Sequence, residues 1–131
     1  MISIIIPAHN EGAVIARTLR AITQGAEPGE LDVIVVCNGC TDDTATVARR
    51  FDRSVRVIET AKASKPQALN LGDEAAHTFP RIYVDADVVL ETEAIRALAR
   101  RLDDGGVLAV APTPQFALGE CSWPVRLFFK I

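Results

Sequence analysis

The chain predicts an α/β domain: a mainly parallel sheet with helices packed on its faces. Three observations carry this reading. Short apolar, largely β-branched runs at residues 2–6, 32–37, 55–58 and 81–84 read as strands, the first two continuous enough to be covered on both sides. Segments with apolar residues at helical spacing separate them. Strict alternation of strand and helix is the mark of parallel strands joined by right-handed crossovers.

Taken in order, residues 2–6 form strand one, which Pro7 ends. Asn10 is the expected N-cap of a helix whose apolar positions are Val14, Ile15, Leu19 and Ile22, stopping at Gly25. Strand two covers residues 32–37, and Asn38-Gly39 marks a sharp turn. Thr41 is expected to cap helix two, with Asp42 and Asp43 favourable in its first turn and Val47, Ala48 and Phe51 on its inner face. Residues 55–58 are strand three, residues 66–76 helix three with Pro66 near its start, and residues 82–84 the core of strand four. Thr92 is the expected cap of helix four, whose stripe is Ile95, Leu98, Ala99 and Leu102, broken by Gly105-Gly106. A fifth strand is expected at residues 107–111. Beyond Pro112 the pattern loosens, and the apolar end around Leu127, Phe128, Phe129 and Ile131 predicts a truncated fold or a surface for self-association.

Composition limits what such a domain does. With 131 residues, 49% hydrophobic and 24% charged, the chain reads as one soluble domain over residues 1–131 with a real core. A net charge of -3 and the lack of any Lys/Arg run argue against nucleic acid as a partner. Cys37 and Cys40 have C-x-x-C spacing, but no second pair accompanies them, so free thiols are favoured over redox or zinc chemistry. Met1 leads directly into strand one without a leader-like segment, and no run approaches the roughly 20 apolar residues that cross a bilayer. The expected location is cytoplasmic, or peripheral to the inner face of a membrane.

Chemistry concentrates at Asp85-Ala86-Asp87, directly after strand four. Side chains alternate along an extended segment, so the two carboxylates share a side. They either cap a solvated turn or bind a hard divalent cation together with substrate phosphates. Ligands of such sheets bind beyond the carboxyl ends of the strands, near the point where strand order reverses. Residues 7–11, 38–43 and 85–87 should therefore gather along one edge.

Four motifs then meet in order: Ile5-Ile6-Pro7-Ala8-His9-Asn10-Glu11, Asn38-Gly39-Cys40-Thr41-Asp42-Asp43-Thr44, Lys65 with Ala68-Leu69-Asn70-Leu71-Gly72, and Asp85-Ala86-Asp87. Together they resemble family 2 glycosyltransferases of the GT-A fold, a Rossmann-like three-layer sandwich, over about residues 2–111. The resemblance implies an inverting transferase that uses a UDP- or GDP-linked sugar, with Mg2+ or Mn2+. Its acceptor would be the hydroxyl of a sugar, lipid or small molecule, as in cell-wall or polysaccharide biosynthesis. By resemblance, Pro7, Ala8, His9, Asn10 and Glu11 hold the nucleoside, Glu11 near the ribose and His9 beside the base. Asn38 meets the base edge, Lys65 lies near the nucleotide, Asp85 and Ala86 reach the ribose and pyrophosphate, and Asp87 with Asp85 takes the metal.

The resemblance departs at His9 and Cys37, where family members often carry a tyrosine and an acid. It also places the general base in a second half that would follow Pro112. Glu120, the only acid after the expected fifth strand, matches no base motif, so the chain is expected to bind donor without turning over alone. Two rivals stand beside it. A sugar nucleotidyltransferase predicts a glycine-rich, basic loop where residues 7–11 stand. A non-catalytic nucleotide-binding or assembly module would use the apolar C-terminus for docking.

Overall fold

A computed structural model of the chain describes residues 1–51, 54–106 and 109–113. Strands β1 (Ile2–Ala8), β2 (Leu31–Asn38), β3 (Val55–Thr60) and β4 (Arg81–Tyr83) form one parallel sheet in the order β3-β2-β1-β4. Between and after them run α1 (Ile15–Thr23), α2 (Thr44–Ala48), α3 (Lys65–Ala75) and α4 (Thr92–Asp103). The chain builds outward from β1 to β3 and then crosses to the far side of β1 for β4. Strand order therefore reverses between β1 and β4, which puts the ligand crevice of this architecture at their carboxyl ends.

Alternation along the strands sorts the core into two layers. Ile4, Ile6, Val33 and Val35 face Ile15, Leu19 and Ile22 of α1, Ala48 of α2 and Ile95 of α4. Ile5, Ile34 and Val36 point the other way, onto Ala68 of α3. Ile4, Ile5 and Ile6 are fully buried, and each such side chain contributes about 1.5–3 kcal/mol. Surface ion pairs are worth about 0–1 kcal/mol, so the two-sided burial of β1 outweighs them in holding the sheet together.

Several element ends differ from the sequence expectation, each for a local reason. Pro7 does not end β1, which continues to Ala8 beside Cys37 of β2. Ser3 N donates to Pro80 O and Ile5 O accepts from Val84 N, so odd-numbered residues of β1 face β4. Pro7 shares that parity, and pairing with β4 stops at Ile5, so its missing N–H removes no ladder bond. Asn10 does not cap α1. It adopts φ 52°, a left-handed conformation that asparagine tolerates, and its Oδ1 accepts from Thr41 N at 2.8 Å. The chain instead turns on Glu11 O, which accepts from Val14 N and Ile15 N, before α1 begins.

Thr41 does not cap α2, and Asp42 and Asp43 precede the helix instead of lying in its first turn: Asp43 is the N-cap without a side-chain cap bond, and Asp42 Oδ1 accepts from Thr44 N at 3.0 Å just ahead of it. Ser64 caps α3 by accepting from Gln67 N, with Pro66 in the first turn as expected. Thr92 starts α4 without capping it; its hydroxyl donates to Ile22 O at 2.8 Å and accepts from Gly25 N at 3.2 Å, fastening α4 to the end of α1. Of the expected fifth strand, residues 107 and 108 lie outside the described residues and residues 109–111 form no strand. The C-terminal apolar segment, Glu120 and Cys121 also lie outside them. No helix among the described residues is long and apolar enough to cross a membrane.

Two details generate tests. A Cβ at Gly72 of α3 would collide with Ile5 Cγ2 and approach Val36 Cγ2 at 3.3 Å, both in the buried sheet. Gly72→Ala should therefore lower the unfolding free energy by about 1–3 kcal/mol in urea titrations, although alanine is the better helix former. Arg96 of α4 clasps Glu30 ahead of β2, Nε to Oε1 at 2.6 Å and Nη2 to Oε2 at 2.8 Å. That hydrogen bonding holds the Glu30 carboxyl down at about 2, against an ordinary 4.5. Because the folded value lies below the unfolded one, the pair's stabilisation is complete above pH 4.5 and is lost as pH falls towards 2. Thermal scans across pH should show Glu30→Gln less stable than wild type at neutrality, the gap closing through that window.

Candidate active site

At the switch point lies a cleft of about 230 Å3, lined by Pro7, His9, Glu11, Asn38, Lys65, Asp85, Ala86 and Asp87. Each arrives from a strand end or a helix start. Pro7 is the penultimate residue of strand β1, His9 and Glu11 lie in the loop that follows, Asn38 at the end of β2, Lys65 at the start of α3, and the remaining three just after β4. A larger hollow of about 550 Å3 between α1 and α4, lined by Arg17, Gln24, Val89 and Glu93 among others, lies off this edge and brings no acidic pair to face a lysine.

The first two strand exits are stitched to each other. Asn38, nearly fully buried, donates from Nδ2 to Ala8 O at 3.0 Å, and Cys40 Sγ lies 3.4 Å from the same oxygen. Thr41 N donates to Asn10 Oδ1, Glu11 N to Thr44 Oγ1 at 2.9 Å, and Gly12 N to Asp42 Oδ2 at 3.0 Å. A Cβ at Gly12 would meet only the tips of the exposed Asp42 and Asp43 side chains, which can turn aside. Gly39 is the glycine the turn requires, since it adopts φ 59° with Ala63 against it. His9 Nδ1 lies 2.7 Å from Asn38 O. A carbonyl only accepts, so Nδ1 carries the proton and, in the neutral ring, Nε2 is left as an acceptor.

Electrostatics divide the carboxylates by role. Asp42 is held below the ordinary carboxylate range, chiefly by the Thr44 hydroxyl and also by the Thr44 and Gly12 amides. It is thus a loop clasp just ahead of a helix. Lys65 Nζ pairs with Asp85 Oδ1 at 2.6 Å across the cleft, both side chains more than half exposed. An exposed pair of this kind is worth about 0–1 kcal/mol, so a ligand can exchange with it at little cost. The exposed Asp87 carboxylate has no hydrogen-bond or ion-pair partner among the described residues. No group of three or more His, Cys, Asp or Glu positioned for a metal occurs among the described residues either. A cation here would need ligand oxygens beside the two carboxylates, as hard cations at phosphate sites commonly do.

Of the residues singled out in the sequence, the structure does not bring Ala8 and Asn10 into the cleft lining; they hold the loops around it. Thr18 and Arg17 of α1 escaped notice. Thr18 Oγ1 donates to Ala86 O at 2.7 Å and Arg17 Nη2 to Asp87 O at 3.2 Å. Only a polar residue on an apolar helical stripe could have signalled the first. Cys37 and Cys40 are both free thiols.

The model of the family described as "Glycosyl transferase family 2" matches residues 3–126. The chain belongs to that family. This family 2 member is 38% identical over 119 residues to a 4,4'-diaponeurosporenoate glycosyltransferase of Staphylococcus aureus strain MRSA252, a match covering 85% of this chain and 31% of that protein. It therefore spans about a third of the length of such relatives. Its fold is that of the crystal structure of S. aureus TarS 1-349, with a TM-score of 0.72 at 19% identity, covering 87% of this chain and 38% of that one. Glucosyl-3-phosphoglycerate synthase from Mycobacterium tuberculosis, crystallised with Mn2+, uridine diphosphate and glucosyl-3-phosphoglycerate, superposes with a TM-score of 0.65 at 26% identity. That alignment covers 78% of this chain and 39% of the synthase. The GT-A fold expected from the sequence is thus the observed one.

Burial, and next the neighbouring Cys40, push the Cys37 thiol of this family 2 member up to about 12. It stays protonated and hidden near neutrality. Alkylation at pH 8 followed by peptide mapping should leave Cys37 unmodified in the folded protein and modify it in urea; labelling of Cys37 in the folded state would contradict the burial described.

Proposed function

We propose that residues 1–131 form one domain that binds the nucleoside-diphosphate sugar donor of a family 2 glycosyltransferase. The observation that carries the reading is the convergence in one cleft of two strand-exit loops, a helix-borne lysine and the Asp85-Ala86-Asp87 turn. In this reading the nucleoside lies against the loop after β1, with Glu11 towards the ribose. His9 offers its Nε2 lone pair beside the base, and Asn38 holds the loop that receives the base edge. Lys65, freed from Asp85, meets the diphosphate. The M. tuberculosis synthase, named with Mn2+ and uridine diphosphate, supports a nucleotide and a dication as ligands of this fold.

The residues present fit such an ion. Asp87 has an uncommitted carboxylate, and Asp85 is held only by an exposed lysine. Asp87, with Asp85, would hold Mg2+ or Mn2+, which as a Lewis acid stabilises charge on a departing diphosphate. The protein's own groups bind and orient: the stitched loops grip the nucleoside, and Lys65 supplies positive charge to the phosphates. Transfer with inversion to an acceptor hydroxyl requires a general base on the far side of the sugar. We assign that base, and the wall that holds a sugar, lipid or small-molecule acceptor, to the part of the family's length these residues do not span.

Calorimetry with UDP and GDP tests the reading. Binding should require Mn2+ or Mg2+, and Asp87→Ala should weaken it by at least about tenfold. Affinity indifferent both to the ion and to Asp87 would remove it. Gel filtration separates the assembly alternative, which requires a stable oligomer without nucleotide affinity.

A further inference from the structure

Thr18 stands where an apolar side chain is expected. It shares the buried stripe of α1 with Ile15, Leu19 and Ile22, and all four are fully buried. A helical threonine commonly turns its hydroxyl back to the carbonyl four residues earlier. Thr23 of the same helix does this, donating to Leu19 O at 2.8 Å. Thr18 instead donates to Ala86 O at 2.7 Å, a buried bond spanning 68 residues of chain. Beside it, the exposed Arg17 donates from Nη2 to Asp87 O at 3.2 Å, and Val88 N closes the same turn onto Asp85 O at 3.0 Å. Carbonyls 85, 86 and 87 are thus all engaged, two of them by adjacent side chains of one helix.

We propose that Thr18, with Arg17 beside it, is the positioning residue for the Asp85 and Asp87 carboxylates. The proposal rests on the donor-site reading above. Its physical basis is the planar peptide: fixing a carbonyl oxygen fixes its peptide plane, and with it the directions in which the flanking side chains leave the backbone. Ala86 O belongs to the peptide that joins Ala86 to Asp87, so a donor on that oxygen aims Asp87 directly. Without the hydroxyl, a buried carbonyl would have to turn in search of another partner, and Asp87 would turn with it. Helix α1 also follows directly from the loop that lines the opposite wall. One rigid element therefore sets the distance between nucleoside loop and carboxylate turn.

Groups that orient a metal ligand typically change affinity 10- to 100-fold when removed. In the full chain, Thr18→Val keeps the shape and removes the hydroxyl, whereas Thr18→Ser keeps it. Titration of UDP and GDP with Mn2+ should show Thr18→Val weakened by about 10- to 100-fold, Thr18→Ser recovering most of that loss, and no binding without the ion in either variant, as in the wild type. Arg17→Met, at an exposed site that leaves the core intact, should weaken Mn2+-dependent binding in the same direction by a smaller factor. Amide exchange of Val88 in the ligand-free chain should speed up in Thr18→Val and not in Thr18→Ser.

Unchanged Val88 exchange in Thr18→Val overturns the positioning role whatever the titrations give. So does wild-type affinity in Thr18→Val, or a Thr18→Ser as weak as Thr18→Val. Should Thr18→Val fail to fold, Arg17→Met decides, and unchanged Mn2+-dependent affinity in it overturns the proposal. If the wild-type chain itself binds without regard to Mn2+, while Val88 exchange responds as expected, the donor-site reading fails and the brace of the turn stands as structural only.

Discussion

Everything in this domain hangs from β1, a strand buried on both faces with a strand paired on either side. Its residues alternate between two apolar layers, Ile4 and Ile6 into one and Ile5 into the other, so neither face can tolerate water. Because the chain adds β2 and β3 on one side of β1 and then β4 on the other, strand order reverses between β1 and β4. The crevice between them is a consequence of connectivity. Chemistry then needs only polar side chains at the strand ends, where backbone regularity has already stopped. Pro7 fits the same logic: it occupies the position where β1 no longer has a neighbour in β4, so the strand loses nothing by carrying an imino acid.

The fold was legible because two-sided burial writes itself into the sequence as unbroken apolar runs. Residues 2–6 and 32–37 show this at once, and the helical spacing of Ile15, Leu19 and Ile22 shows one face of α1. The ends were less legible, for a single recurring reason. Asn10, Thr41 and Thr92 each look like helix caps in one dimension, since a short polar side chain ahead of an apolar run is the ordinary cap signal. In three dimensions Asn10 and Thr92 spend their hydrogen bonds on distant backbone, Asn10 on Thr41 and Thr92 on Ile22 and Gly25. Capping is a local competition, and a tertiary partner wins it whenever the loop must also be held to another loop.

The same contrast runs through the candidate site. Residue types able to handle a diphosphate were visible as motifs, and parity along an extended chain was enough to pair Asp85 with Asp87. What could not be seen was how charge is shared. Lys65 and Asp85 are 20 residues apart in sequence yet form an ion pair across the cleft, leaving Asp87 as the less committed carboxylate. Nor could the sequence separate lining from scaffold inside one motif. His9 and Glu11 line the cleft, whereas Ala8 and Asn10, between and beside them, are taken up in tying the loop down. In a loop whose backbone is pinned at nearly every residue, neighbours are forced into alternate duties.

That pinning explains why a site can be specific while its side chains are exposed. Long exposed side chains such as Lys65 lose rotamer freedom on binding, which costs affinity. A backbone held by Asn38, Thr44 and Asp42 on one wall, and by the Thr18 hydroxyl on the other, has no comparable freedom left to lose. The ordering entropy of both loops is met during folding, by the same core that buries β1, and is not charged again to the ligand. Rigidity in the frame and mobility in the lysine are therefore complementary. In the proposed reading, the frame would set where phosphate and base lie, and the lysine, released from a weak pair with Asp85, would supply charge there.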